Sequence, residues 1–396
     1  MKKELCFFTG ISPNMTFAAA SIAIGLSIHN KIDYDYIVFH SGISDKNRVA
    51  FSKIRNCQLR EFSFKKEFEE TMLSRLPQEC RFKNTDRLMC FTHYEIFKLL
   101  EEYKCVVWID SDVLIQDDIT NIRFFENMSF ASDDDYCVRD QFTTLPNKKY
   151  DYDKKAIRIS MMCMRDNIPF RDMYKWCYSK TVELVDYLFN PEQAIFNLLL
   201  QEWSIIPDII PLEWHADCDK KEAVITKVVH FGTENKVWNN KSIFDAYPEW
   251  YRNIKKWIEL GGDTSEDFKL VGVLPQNIIN KMRLRTEQPF MFEKVPPGSR
   301  VVIYGFGNVG KWYIEQIQSL KYCEIVAVAD ASIDDNTYNE YGLRLIQPEC
   351  LYSIPNFDYV IVAIENKRVC SEIEAFLLRN GLKKEKIVRS DYERKY

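Results

Sequence analysis

Two carboxylates, Asp110 and Asp112, stand two residues apart within an apolar stretch that reads VVWIDSDVLI over residues 106–115. The four bulky residues before Asp110 predict a strand covered on both faces, whose carboxyl end is the usual ligand edge of an open α/β sheet. Other Asp-x-Asp pairs, none of which ends a predicted buried strand, begin at Asp33, Asp133, Asp151 and Asp217. The pair at Asp110 therefore predicts a divalent cation site.

A second motif, VVHFGTENKVW, occupies residues 228–238. His230 closes a predicted strand and can complete a cation site with two carboxylates, and Lys236 can reach a diphosphate held by that cation. When the bond between a sugar carbon and its diphosphate breaks, negative charge accumulates on the leaving oxygens, and a divalent ion with an ammonium group stabilises that charge. Together the two motifs predict chemistry on a sugar diphosphate.

Length and charge limit the classes of protein that this chain can represent. At 396 residues it is too long for one ordinary core, so two domains and a connector are expected. The net charge of -5 gives no general attraction to nucleic acid, which is not a favoured partner. The N-terminal apolar run is broken by Gly10 and Pro13 before it could form a signal peptide or a membrane span, so the protein is expected in the cytoplasm.

The twelve cysteines are scattered, without a Cys-x-x-Cys pair, and many lie inside apolar runs. Reduced core thiols are therefore expected rather than disulfides. His215, Cys218 and His230 leave a zinc site open as an alternative, although a fourth ligand is missing.

Residues 1–241 are expected to form the first domain, in which short apolar strands alternate with helical patterns. This alternation predicts a parallel sheet with helices on its faces, and the sheet is expected to become mixed toward the end of the domain. The acid-rich stretch 132–153 is expected to be a long loop of the kind that can close over a ligand. The predicted strands are 4–9, 35–39, 59–64, 106–115, 155–164 and 223–229. The predicted helices are 14–29, capped by Asn14, and 44–55, 85–103, 168–188 and 191–202.

Weaker apolar periodicity over 242–294 predicts a helical connector. Its stretch 250–257 interleaves bases with aromatic residues. This pattern indicates either an ordinary helix docked on the core, which is favoured, or a contact with an anionic membrane surface.

The last predicted domain, 295–396, is a smaller Rossmann-like parallel α/β domain. A strand at 300–304 runs into Gly305-x-Gly307-x-x-Gly310 and a helix, and a later strand ends at Asp330. Glycines in this setting let backbone amides at a helix start approach a phosphate. A nucleotide at Gly305–Gly310 is therefore possible, with a purely structural role as the alternative.

The motif at Asp110–Asp112, the segment Pro191-Glu192-Gln193 with Asn197, and the run from His230 to Lys236 and Trp238 resemble glycosyltransferase family eight over residues 1–240. This resemblance implies the nucleotide-diphospho-sugar transferase fold called GT-A, with a mixed central sheet. It also implies transfer of a hexose, glucose or galactose, from a UDP-sugar to a saccharide acceptor with retention, in the presence of Mn2+ or Mg2+. By analogy with that family, the acceptor would belong to a surface polysaccharide, a capsule or a lipopolysaccharide.

The resemblance also implies roles for particular residues. Asp110, Asp112 and His230 would bind the metal, and Lys236 would hold the diphosphate. Gln193 would face the reacting donor sugar, and Asp134 would be aimed at the sugar. The remaining donor-binding residues implied are Thr9, Gly10 and Asn14 along the nucleoside, with Ser111 and Gly232 inside the two motifs.

The chain departs from the family pattern at several positions. His93 stands where the family has an arginine before the metal strand, with Arg87 as a substitute, and Arg158-Ile159-Ser160 replaces an Asn-Ala-Gly or Asn-Ser-Gly segment. An aspartate of the first loop is replaced by Ile11-Ser12-Pro13, and Val237 replaces a proline.

Retention requires either a covalent glycosyl-enzyme or departure and attack on one face of the sugar. Same-face transfer is favoured, because Gln193 is a weak nucleophile; Glu192 and Asp134 are the alternative nucleophiles. Two other classes of function remain open. They are an NAD(P)-dependent oxidoreductase centred on the C-terminal domain and a non-catalytic nucleotide-sugar-binding protein.

Overall fold

The structure is a computed structural model that describes residues 2–80, 85–232, 236–265, 268–270, 290–292, 294–332, 337–364 and 366–389. Side chains are not described at 85–87, 133–135 and 367. Backbone contacts divide the chain into two units, Met1–Pro275 and Gln276–Tyr396.

The first unit contains a seven-stranded sheet and a three-stranded sheet among its described residues. The strands are β1 (Lys3–Ile11), β2 (Asp35–His40), β3 (Cys57–Glu61), β4 (Tyr103–Ile109), β5 (Val113–Ile115), β6 (Ser129–Cys137), β7 (Lys155–Arg165), β8 (Asp208–Ile209), β9 (His215–Asp217) and β10 (Val228–His230). The helices are α1 (Thr16–His29), α2 (Asp45–Phe51), α3 (Lys66–Arg75), α4 (Glu95–Leu99), α5 (Phe170–Leu184), α6 (Pro191–Glu202), α7 (Lys241–Ala246) and α8 (Pro248–Glu259).

The large sheet has the order β3-β2-β1-β4-β7-β6-β8 and is mixed. Strands β3, β2, β1 and β4 are parallel, β7 runs antiparallel to both β4 and β6, and β8 is parallel to β6. Helices α3 to α6 supply much of a core cluster against one face of this sheet, whose apolar strand residues are almost completely buried. The α/β class and the mixed central sheet are thus confirmed.

Several elements differ in type or in bounds from those that the local sequence pattern predicted. Residues 129–137 form β6, which pairs with β7 through residues 129–132 and Cys137, although the sequence pattern predicted a loop from residue 132. The helix predicted over 85–103 was wrong: 85–94 is a 3-10 segment, α4 is short, and Tyr103 already begins β4. The strand predicted at 223–229 is reduced to β10, because residues 221–224 form a 3-10 turn.

Helix α1 is almost wholly buried, and its small residues let it lie close to its neighbours. A Cβ atom built on Gly25 would lie only 3.0 Å from the side chain of Ile115. The helix begins at Thr16, and its N-cap is Met15 without a side-chain hydrogen bond, so the cap predicted at Asn14 was wrong.

Helix α8 packs against α1 and lies in the segment predicted as a connector. Trp250 and Trp257 are buried and Ile254 is 1% exposed, as the interpretation of a helix docked on the core requires. No described helix is both long and apolar enough to cross a membrane. Peripheral membrane contact through 250–257 stays a prediction without support.

The second unit contains a five-stranded parallel sheet of order β13-β12-β11-β14-β15. Its strands are β11 (Arg300–Tyr304), β12 (Glu324–Ala329), β13 (Leu345–Ile346), β14 (Tyr359–Val362) and β15 (Ile387–Arg389), and its described helices are α9 (Asn308–Leu320) and α10 (Lys367–Arg379). Alternate residues of β11 enter two core clusters on opposite faces, which explains the uninterrupted apolar run of this strand. The further parallel α/β unit is therefore confirmed.

Candidate active site

The two carboxylates lie in a short bend between β4 and β5. The Asp110 amide donates to the Ser160 carbonyl at 3.0 Å, and Ser111 lies between the two carboxylates. Strand β5 then pairs with β10 so that Val113 is opposite His230. This register brings the histidine, which is more than a hundred residues away in sequence, beside the acidic pair.

The three predicted metal ligands meet in space. His230 Nε2 is 3.7 Å from Asp110 Oδ2 and 3.4 Å from Asp112 Oδ1. One ligand atom from each residue lies within 4.8 Å of the others. Two carboxylate oxygens and an imidazole nitrogen are donors that suit Mn2+ or Mg2+, so the residues present fit a divalent cation.

When the acidic, histidine and cysteine side chains of the described residues are compared, Asp110, Asp112 and His230 form the group whose spacing suits a metal ion. His215 and Cys218 do not belong to it. The zinc alternative therefore gains no support from the structure.

Two side-chain cations neutralise the carboxylates. The ammonium of Lys236 contacts Asp112 Oδ2 and donates to the Phe231 carbonyl at 2.8 Å. Burial disfavours the charged imidazolium of His230, but Asp112 and Asp217 outweigh that effect and raise its pKa to about 9. Burial of Asp112 is likewise outweighed by Lys236 and His230, which hold its pKa well below the ordinary value. The site thus holds a positive charge against its carboxylates in the described structure.

Aromatic and imidazole groups support Asp110 from the other side. Trp108 Nε1 donates to Asp110 Oδ1 at 2.6 Å, and the His93 ring lies 3.6 Å from the Trp108 ring, centroid to centroid. His93 Nε2 is 3.5 Å from Asp110 Oδ1. The residue that aligned with the family's arginine therefore does reach the site, while the side chain of its substitute Arg87 lies outside the described residues.

Sequence reasoning missed the groups behind His230. Asp217, at the end of β9, accepts from His230 Nδ1 at 2.8 Å and from Arg158 Nη1 at 2.6 Å. The available signal was the short pattern His215-Ala-Asp217, which resembles the end of a strand, but Asp217 was set aside with the other Asp-x-Asp copies. His215 is buried beside the His230 ring, and burial lowers its pKa to about 3.

Helix α6 presents Glu192 and Gln193 in its first turn, where Pro191 can start a helix without losing a hydrogen bond. Both side chains are less than a tenth exposed. Burial raises the pKa of Glu192, although His93 opposes the shift. Asn197, one turn later, joins the helix to β7 by accepting from the Ile157 amide at 2.9 Å and donating to the Ile157 carbonyl at 3.3 Å. It also donates to the Gln193 carbonyl within its own helix at 2.9 Å.

The remaining predicted donor-binding residues lie at the carboxyl end of β1, just after it, and just after β10. Thr9 is completely buried, and its Oγ1 has no hydrogen-bond partner among the described residues. A Cβ at Gly10 would collide with Thr92, so close packing alone requires glycine there. Asn14 Oδ1 accepts from Ser12 Oγ at 2.5 Å. Gly232 lies directly against His230, as a Cβ there would strike the imidazole.

Some predictions fall outside the described residues. The side chain of Asp134 is not described, nor is any part of Thr233, Glu234 and Asn235 between Gly232 and Lys236. The role of Asp134 toward the sugar therefore stays a prediction.

In the second unit, the glycine motif forms the turn between β11 and α9. Gly305 has φ +108, and a Cβ on Gly310 would meet the Gly305 backbone, so both glycines have a packing reason. Asp330 Oδ2 accepts from the Phe306 amide at 2.6 Å, and its other oxygen accepts from Ser332. Nucleotide binding at Gly305–Gly310 stays a prediction.

Residues 298–388 match a family model described as C2185-like, N-terminal. This match covers less than half of the chain and lies within the second unit. Curated protein sequences provide no match to the chain.

Three glycosyltransferases are among the solved structures to which the chain is similar. The apo structure of the bifunctional glycosyltransferase WbbM is 14% identical with a TM-score of 0.49, over 66% of this chain and 51% of that chain. The galactosyltransferase LgtC in complex with donor and acceptor sugar analogues is 12% identical with a TM-score of 0.46, over 70% of this chain and 100% of that chain. The apo form of the glycosyltransferase GlyE of Streptococcus pneumoniae TIGR4 is 12% identical with a TM-score of 0.40, over 99% of this chain and 92% of that chain. The chain spans about half the length of WbbM.

Proposed function

We propose that the first unit is a metal-dependent glycosyltransferase of the GT-A type that transfers a hexose, glucose or galactose, from a UDP-sugar with retention. The observation that carries this proposal is the convergence of Asp110, Asp112 and His230 on one point, with the ammonium of Lys236 against Asp112. Carboxylates and an imidazole that can hold a divalent cation, with an adjacent ammonium at the carboxyl end of a buried strand, suit a diphosphate bound through that cation.

In this proposal Asp110, Asp112 and His230 hold a divalent cation, Mn2+ or Mg2+. When bound, the cation supplies positive charge to the departing diphosphate. Lys236 sits at the same carboxylate and provides a second positive charge, which matters most when the bond to the sugar breaks. Thr9, Gly10, Asn14, Ser111 and Gly232 would line the nucleotide.

In this proposal Gln193 faces the donor sugar, as the family resemblance implies, and Asn197 joins its helix to β7. Its amide carries no negative charge, so it can orient a sugar hydroxyl but is a poor nucleophile. We therefore favour attack on the face from which UDP leaves, with the diphosphate taking the proton of the incoming hydroxyl. Detection of a glycosylated Glu192 or Asp134 by mass spectrometry would instead establish a covalent intermediate.

The acceptor would be a saccharide of a surface polysaccharide, assembled in the cytoplasm or at the inner face of the membrane. The three regions 1–241, 242–294 and 295–396 would be the transferase domain, a helical connector and a Rossmann-like domain. These assignments follow from the family resemblance and the sequence pattern.

The deciding experiment measures UDP release from a panel of UDP-sugars, with Mn2+ and with EDTA. We expect release from one hexose donor that requires the metal and that falls at least 100-fold in Asp110→Ala. An exposed acid outside the site, Asp245→Ala, serves as the matched control and should leave the rate unchanged. Absence of release from every donor, or an Asp110→Ala variant as active as the parent, would contradict the proposal, and NAD(P)H turnover indifferent to Mn2+ would favour the oxidoreductase alternative.

A further inference from the structure

Asp217 contacts the His230 ring at the nitrogen that is not directed at the two carboxylates. Strands β9 and β10 are parallel neighbours, and their register sets Asp217 beside His230. Asp217 Oδ1 lies 2.8 Å from Nδ1 of the ring, whereas Nε2 points toward Asp110 and Asp112. The two nitrogens of this imidazole therefore face different partners.

The partner of Nδ1 fixes which nitrogen carries the hydrogen. Asp217 Oδ2 accepts from Arg158 Nη1 at 2.6 Å, so the carboxylate is paired with a guanidinium and can only accept at its other oxygen. Nδ1 must therefore donate. A histidine binds a cation as the neutral ring, and with Nδ1 donating that ring has its lone pair on Nε2, the atom next to the two acids.

The ring is also confined in position. Gly232 passes against its Cε1 and Nδ1, with the glycine placed so that a Cβ would be 3.3 Å from Asp217 Oδ1. The ring of His215 lies 5.4 Å from the ring of His230, centroid to centroid. Only about 5% of the His230 side chain is exposed, so water does not compete for the Nδ1 hydrogen bond.

We propose that Asp217, anchored by Arg158, is the positioning residue that holds His230 with Nε2 directed at the Asp110 and Asp112 carboxylates. Affinity for the divalent cation then depends on two residues that do not touch it. This inference rests on the proposed function, because it deepens the same metal site.

The test is a titration of the full chain with Mn2+, in which electron paramagnetic resonance measures the concentration of the free ion. Loss of such an outer partner of a metal-binding histidine typically weakens metal affinity 10- to 100-fold, and we expect this for Asp217→Ala. Asp217→Asn keeps an oxygen that can accept from Nδ1 and should lose less than about tenfold. Asp219→Ala removes the same charge two residues further on, from a side chain with no hydrogen bond or ion pair to His230 among the described contacts, and should stay within about twofold of the parent.

Arg158 is tested by a double-mutant cycle. If Arg158 acts through Asp217, Arg158→Met weakens Mn2+ binding by itself but adds little once Asp217 is already alanine. Independent, additive losses would overturn the role of Arg158 as the anchor.

A purely structural role for Asp217 is separated by kinetics. In a positioning role, saturating Mn2+ restores the maximal rate of UDP release in Asp217→Ala, and only the Mn2+ concentration for half-maximal rate increases. A rate that stays low at saturating Mn2+, or an unchanged Mn2+ affinity, would overturn the inference.

Failure of the inference is distinguishable from failure of the proposed function. If His230→Ala weakens Mn2+ binding and Asp217→Ala does not, only the positioning role is wrong. If neither variant changes Mn2+ binding, the metal site itself is wrong.

Discussion

Gly232 has no room for a side chain. The position carries no glycine-only backbone angle, but a Cβ would strike the imidazole of His230. We expect Gly232→Ala to displace the ring and to weaken Mn2+ binding by roughly tenfold or more, as for other losses of ligand orientation. Gly307→Ala is the control, because a Cβ there meets nothing within 4 Å, and its Mn2+ affinity should equal that of the parent. Equal affinity for both variants would show that the ring tolerates the displacement.

Lys236 is the ammonium group nearest to the carboxylate pair among the described contacts. We expect Lys236→Met to lower kcat for UDP release about 10²- to 10³-fold, because a preorganised charge at the leaving group is lost. Lys241→Met, five residues on and paired with Asp245 at the surface, should leave kcat unchanged. An increase in KM with kcat unchanged would instead assign to Lys236 a contact that binds the substrate and the transition state equally.

At this scale the sequence identified the residues that would touch the ligand but not those that hold them. Asp110 stood out because an apolar strand leads into it. Asp217 could not be distinguished from a solvated Asp-x-Asp turn, because β9 has only three residues and its meaning comes from the register with β10. Arg158 looked like a departure from a family pattern, and its partner Asp217 is visible only in three dimensions.

Helix α4 begins with a buried acid. Glu95 is 2% exposed and accepts hydrogen bonds from Tyr174 at 2.9 Å and Tyr178 at 3.3 Å. Burial raises the pKa of Glu95 above its ordinary value of 4.5, although both tyrosines and Lys98 oppose the shift. The folded state therefore binds more protons than the unfolded state in the window above pH 4.5, so the contribution of Glu95 to stability falls as pH rises through that window.

We expect Glu95→Gln, which cannot ionise, to become progressively more stable than the parent as pH increases from 4.5 to 7. The difference in unfolding free energy should grow by no more than about 1.4 kcal/mol per pH unit. Urea unfolding at several pH values measures this difference. Exposed Glu101→Gln is the control, and a pH-independent gap between Glu95→Gln and the parent would contradict the argument.

The order of strands and helices was largely predictable, because apolar runs and helical spacing mark them independently of context. Element type was less predictable where pairing decides it. Aspartate has low strand propensity, yet Ser132 and Cys137 on either side of the acidic residues of β6 pair with β7. The 3-10 segment before α4 is another case, since tertiary packing of buried residues such as Phe91 determines its path.

At the scale of the whole molecule, each unit has its own apolar core. We therefore expect two transitions in calorimetry of the full chain, of which only one responds to Mn2+. At 100 times its Kd, the ion should stabilise the first unit by about 2.7 kcal/mol, which corresponds to a rise of roughly 5 °C in its Tm. His230→Ala should abolish the shift. A shift of both transitions together would show that the two units unfold as one.

The central claim is that one divalent cation is held jointly by Asp110, Asp112 and His230. The most direct measurement is the Mn2+ affinity of the full chain by electron paramagnetic resonance, with and without UDP, for the parent and for Asp112→Asn. The account predicts one tight site in the parent, tighter still with UDP, and its loss in the variant. Equal Mn2+ binding by parent and variant, or no effect of UDP, would contradict it.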